Sequence, residues 1–137
     1  MFEREITVAA AVENLEAVTT FVDRCLEENG CSMRSQMQID VAVDELFSNI
    51  AYYAYPPGTG TVTLRVKIEG EPPCASLTFI DGGVPYDPLS RTDPDTTLSA
   101  EERQIGGLGI YMVKKSMDEV SYAYEDGKNV LRIRKKL

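Results

Sequence analysis

"RQIGGLGIYMVKK", residues 103–115, places three glycines within four positions, Gly106, Gly107 and Gly109, and an apolar helical pattern begins at once behind them. Backbone without side chains lets N–H groups approach a ligand closely, and a helix that starts there adds the positive end of its dipole. The stretch has the outline of a phosphate-binding loop, yet the Gly-Lys-Ser/Thr ending of a P-loop is missing. The same glycines also suit a tight turn into a packed helix, with Gly109 small for packing. On its own the stretch leaves both readings open, so the neighbouring segments decide.

Upstream, Phe2, Arg4, Ile6 and Val8 alternate with Glu3, Glu5 and Thr7, which predicts a first strand. Leu15, Val18, Val22, Cys25 and Leu26 recur at helical spacing, and Asn29-Gly30 is a helix stop. A second helix is expected over residues 35–54, ended by Pro56-Pro57, with Ile39, Val43, Leu46, Phe47, Ile50 and Ala54 as its apolar stripe. Val62, Leu64, Val66 and Ile68 alternate as a strand, and Ala75, Leu77 and Phe79 make another that closes on Asp81. Residues 88–105 are polar with few apolar anchors, and a loop of that length in a compact domain is usually functional or mobile. After the short helix that follows Gly109, two strands flank Asp126-Gly127, a strong hairpin signal. The order β-α-α-β-β-loop-α-β-β lacks the strict alternation of a doubly wound fold. It predicts an α+β two-layer α/β sandwich: a mixed, mostly antiparallel sheet with three helices on one face and the other face more open.

Bulk composition narrows the function classes. With 137 residues and 43% hydrophobic content, one globular domain spanning 1–137 is expected. Met1 is followed by charged residues rather than an apolar run, and no stretch approaches a membrane span in length. Three cysteines without CxxC spacing do not read as a disulfide framework or a zinc site, so a reducing cytoplasm is the expected home. Histidine is absent, which removes Ser-His-Asp and Cys-His triads and any phosphohistidine on this chain. The net charge of −8 disfavours nucleic acid as a direct partner. Acidic residues crowd the first third and basic residues the end; solvated faces account for this, and an acidic face meeting a basic protein partner is the sharper alternative.

Two further local features carry chemistry. In "DELFSNIAYYAY", Glu45 and Asn49 stand four apart and share one helix face beside the core stripe. A carboxylate and an amide can therefore look together into a site at the helix flank, although for the pair taken alone ordinary surface polarity is the stronger reading. In "FIDGGVPYDP", Asp81 closes an apolar strand and enters Gly82-Gly83. It can accept a hydrogen bond from the amino group of a flat ligand, or it can simply belong to an Asp-Gly turn.

Taken in order, "ELFSN" (residues 45–49), "DGGVPYDP" (residues 81–88) and "GGLGIYMV" (residues 106–113), with a polar segment between the last two, resemble the ATP-binding domain of the GHKL superfamily (the Bergerat fold). That group includes the gyrase, histidine kinase and MutL ATPases. The chain is similar in particular to the small bacterial anti-sigma factor serine/threonine-protein kinases of the RsbW/SpoIIAB type. The likeness continues through "MDEVSYAYEDGKNVLRIRKKL", so it covers nearly the whole chain. The resemblance implies ATP and Mg²⁺ as cofactors. It implies Asn49 as the Mg²⁺ ligand, Glu45 as the general base, and Asp81 as the partner of the adenine amino group with Gly83 giving the base room. Gly106, Gly107, Leu108 and Gly109 would supply the phosphate loop, its first glycine falling at either 106 or 107. Arg103 would reach a terminal phosphate, and residues 88–105 would form the ATP lid. It further implies a sigma factor and a STAS-domain anti-anti-sigma protein as partners, and homodimerisation. Relatives often carry His-Ala-Tyr after the Asn motif, where this chain has Tyr53-Ala54-Tyr55. The alternative function is an ATP-dependent protein-binding switch that transfers no phosphoryl group.

Overall fold

The computed structural model describes residues 1–90 and 107–137. Strand β1 (Phe2–Ala9) leads through a single 3-10 turn (Val12–Asn14) into helix α1 (Leu15–Glu28), and helix α2 (Met33–Tyr53) follows. Strands β2 (Thr61–Glu69) and β3 (Cys74–Asp81) come next, then helix α3 (Gly107–Ser116) and strands β4 (Glu119–Glu125) and β5 (Lys128–Lys136). The sheet order is β1-β2-β3-β5-β4, and every described pairing is antiparallel.

Local chemistry sets the boundaries. Gly30 takes φ 71° after α1, where the amides of Gly30 and Cys31 donate to the carbonyls of Glu27 and Leu26 at 3.2 and 3.1 Å. That is a Schellman stop, and it is the reason Asn29-Gly30 reads as one. Ser32 caps α2 by accepting from the Ser35 amide at 3.2 Å, so the helix begins at Met33, two residues before the sequence pattern placed it. Asp126 and Gly127 both adopt positive φ, 53° and 77°, as a two-residue hairpin turn requires.

Alternation along the strands gives the sheet two unlike faces. Val62, Leu64, Val66 and Ile68 of β2, Ala75, Leu77 and Phe79 of β3, and Leu131 and Ile133 of β5 are buried against the helices. The whole expected stripe of α2, from Ile39 to Ala54, is buried on the other side of that core. Helix α1 adds Val18, Val22, Cys25 and Leu26, and α3 adds Ile110 and Val113. The outer sheet face is polar. Its ion pairs, such as Arg65–Glu5 at 3.2 Å and Arg134–Glu119 at 3.0 Å, are half-exposed and add little to stability. Cys25, Cys31 and Cys74 are all free. Among the described residues no helix is long and apolar enough to cross a membrane.

Candidate active site

The pocket is built where β3 and β5 run out of hydrophobic residues. Asp81 occupies the last inward-facing position of β3, after Ala75, Leu77 and Phe79, and is only 5% exposed. Its Oδ1 accepts from the Gly83 amide and from Asn129 Nδ2, both at 2.9 Å. Register explains the second bond, since Asn129 lies directly opposite Asp81 in the β3–β5 ladder. The Asn129 amide is itself fully engaged: Nδ2 also donates to the Val84 carbonyl at 2.8 Å, and Oδ1 accepts from the Tyr86 amide at 3.1 Å and from the Tyr122 hydroxyl. Burial pushes the Tyr122 phenol above its ordinary value, so the hydroxyl keeps its proton and serves as donor. Asp81 Oδ2 takes up no bond among the described residues.

The turn after Asp81 is clamped to the end of α2. The Val84 amide donates to the Ala54 carbonyl at 2.9 Å. A Cβ at Gly83 would lie 2.3 Å from that same carbonyl oxygen, so only glycine permits the approach. Tyr55 closes the arrangement: its hydroxyl donates to the Thr61 carbonyl at 2.6 Å and accepts from the Gly82 amide at 2.7 Å. Tyr53 is half-exposed and lies 6.1 Å from the Tyr86 ring.

Helix α2 brings the other polar pair. Asn49 Nδ2 donates to the Glu45 carbonyl at 3.0 Å and to Glu45 Oε1 at 3.1 Å. Asn49 Oδ1 takes no part in these bonds and makes none among the described residues. The Glu45 carboxylate packs on the first turn of α3, where a Cβ at Gly109 would fall 2.2 Å from it. Gly109 therefore does serve packing, and what it makes room for is a carboxylate at a helix N-terminus, a favourable place for negative charge.

Leu46, Ile50 and Leu131 line the apolar side of a pocket that opens to solvent. Asn49, Asp81, Tyr86, Tyr122 and Asn129 supply its polar groups. Apolar walls with a few convergent polar atoms suit a flat organic ligand. The structure thus brings Asn49 and Asp81, 32 positions apart in sequence, onto one cavity, with Glu45 one helical turn along α2 from Asn49. Gly107, Leu108 and Gly109 open α3. Arg103 and Gly106 lie outside the described residues, as does all of the expected lid beyond its first three positions, the 3-10 turn Pro88–Ser90.

Asn129, Tyr122 and Tyr86 are site residues that the sequence reading did not single out. One signal was available: Asn129, Leu131 and Ile133 share the inward phase of β5, so a polar amide there had to find buried partners.

The family model described as "Histidine kinase-like ATPase domain" matches residues 8–135. Among curated proteins, the serine/threonine-protein kinase BtrW of Bordetella bronchiseptica is 28% identical over 102 residues, covering 74% of this chain and 71% of that protein. The serine-protein kinase RsbW of Bacillus cereus is 23% identical over 135 residues, covering 95% and 83%. Among solved structures, the RsbU and RsbW domains of Rv1364c from Mycobacterium tuberculosis match the whole chain with a TM-score of 0.70 at 16% identity. The match takes in 33% of that longer chain, and at this identity it speaks for the fold alone.

Proposed function

Since the chain belongs to the histidine kinase-like ATPase domain family, we propose that residues 1–137 form one ATP-binding domain that transfers the γ-phosphoryl group of ATP to a serine or threonine of a protein partner. The observation that carries this reading is the placement of Asn49 and Asp81 on one pocket, with Glu45 hydrogen-bonded to Asn49 at its flank.

The roles follow from the atoms. Asp81 would accept the amino group of adenine, while Leu46, Ile50 and Leu131 cover the ring. The amides that open α3, at Gly107, Leu108 and Gly109, would meet the phosphates with the helix dipole behind them, joined by Gly106 and Arg103. Asn49 Oδ1 is a hard oxygen donor facing no other partner, which fits Mg²⁺, an ion that takes few protein ligands beside phosphates and water. Bound there, Mg²⁺ would neutralise charge on the β- and γ-phosphates. Glu45 would take the proton of the acceptor hydroxyl as its oxygen bonds to the γ-phosphorus. The bond from that phosphorus to the bridging oxygen breaks, and ADP leaves.

The names of the relatives support a serine or threonine acceptor. The motif resemblance supports a sigma factor as the sequestered partner and a STAS-domain anti-anti-sigma protein as the phosphate acceptor. Phosphorylation there adds nearly two charges and can break an interface. A second reading, a nucleotide-dependent binding switch without transfer, draws on the Glu45 carboxylate being engaged by Asn49 and packed on Gly109. Incubation with γ-³²P-ATP and a cognate STAS protein separates the two. Label on the partner, abolished by Glu45→Ala, supports the kinase. Partner binding that responds to ATP with no label transferred supports the switch.

A further inference from the structure

Asn129 is a buried amide, and two of its four hydrogen bonds end on backbone groups that cannot change role. The Val84 carbonyl can only accept, and the Tyr86 amide can only donate. Turning the Asn129 amide by half a revolution would set Oδ1 against the Val84 carbonyl and against Asp81, and Nδ2 against the Tyr86 N–H. The orientation is therefore fixed by chemistry, and the Tyr122 hydroxyl reinforces it from β4. One consequence reaches Asp81. Its Oδ1 is held by two N–H donors, from Gly83 and Asn129, which leaves Oδ2 as the acceptor available to a ligand in a pocket that Asp81 lines.

We propose that Asn129, locked by Tyr122, is the positioning residue that makes this pocket choose a 6-amino purine over a 6-oxo purine. It does so by holding Asp81 as an oriented acceptor. The inference rests on the reading that Asp81 meets the base. A 6-amino group donates to Asp81 Oδ2, whereas a 6-oxo group faces it with a second acceptor. Sites built around such a bond reject the mismatched analogue strongly, because a buried polar atom is left unpaired. Without Asn129, Asp81 loses the donor that fixes its plane, and water or rotation can satisfy it in ways that no longer read the base.

The test is calorimetric titration of the full chain with ATP and with ITP in the presence of Mg²⁺, with folding of each variant checked by circular dichroism. The wild-type chain is expected to favour ATP by about a hundredfold. Asn129→Ala is expected to lower that ratio about tenfold, through ATP rather than ITP, and Tyr122→Phe about threefold in the same direction. Tyr122→Phe keeps the ring and removes only the hydroxyl, so it carries the test if Asn129→Ala does not fold. Equal losses for both nucleotides, or an unchanged ratio in folded variants, would overturn the proposal and leave Asn129 a structural residue. Asp81→Asn is the separating arm. If it abolishes selectivity while the Asn129 and Tyr122 variants retain it, the positioning role fails and the base reading stands. If the wild-type chain does not distinguish ATP from ITP, or binds neither, the base reading fails and the proposal falls with it.

Discussion

Asp81 is buried and Asp40 half-buried, and the fold treats the two aspartates in opposite ways. Asp81, at the end of β3, receives two N–H donors on one oxygen and lies among amides and hydroxyls. Asp40 faces across the α1–α2 seam toward Asp23 and Glu27, which are also acids. Oδ1 of Asp23 and Oδ1 of Asp40 are shut off from water, and the two carboxyls can hydrogen-bond to each other only while one keeps its proton. Burial first, and then the Asp23 and Glu27 carboxyls, push the Asp40 acid up to about 7. Donors make a carboxylate into a rigid acceptor that can read a ligand. Fellow acids favour its protonated form instead.

The contrast breaks most visibly at Asp81. Asp81→Asn should weaken ATP binding by about a hundredfold, since an amide offers a donor where the base also donates. Titration that finds less than about a threefold change would remove Asp81 from the pocket's function. Next comes Gly109→Ala. Its new Cβ would overlap the Glu45 carboxylate, so α3 or Glu45 must shift. A loss of about 1–3 kcal/mol in urea unfolding, together with loss of phosphoryl transfer, is expected.

A smaller effect is expected for Tyr55→Phe. It strips the Gly82 amide and the Thr61 carbonyl of their shared partner while keeping the ring over Gly60. About 1–2 kcal/mol of stability should be lost, with ATP affinity falling alongside because the Asp81 turn loosens. Stability lost with affinity untouched would show that the turn holds its shape without Tyr55.

The seam tests the other half of the comparison. Folded Asp40 keeps a proton that the unfolded chain releases near its ordinary 3.8, so the folded state binds more protons between the two values. Stability from this group is therefore full below about pH 4, falls as pH rises toward about 7, and stays low above that. Asp40→Asn, discounted for the partial exposure of the seam, should stabilise the chain by about 1 kcal/mol at pH 8 and by nothing measurable at pH 4. Equal melting temperatures for variant and wild type at pH 8 would mean that the seam tolerates its charges.

Most of the fold can be read along the chain. Alternation in β2, β3 and β5, the stripe of α2 and the Asn29-Gly30 and Asp126-Gly127 punctuation each follow from interactions within a few residues. So does the sharing of a helix face by Glu45 and Asn49, because helical period alone dictates it. The glycines were legible as places where backbone comes close to something, but not as to what. Gly83 meets the Ala54 carbonyl and Gly109 meets the Glu45 carboxylate, contacts between segments distant in sequence.

The residues that sequence reading missed share one cause. Asn129 matters because the β3–β5 register sets it opposite Asp81, 48 positions away, and Tyr122 because β4 pairs beside it. The Asp23–Asp40 seam likewise exists only where α1 folds against α2. The sequence by itself determined which elements form and which faces turn inward, and it singled out Glu45, Asn49, Asp81 and the 106–109 glycines as candidates, because local period and turn preference act over a few residues. Only the tertiary structure decided which carboxylate would be an oriented acceptor and which a proton holder. That depends on whether the nearest neighbours are donors or acids, a matter of register and helix packing.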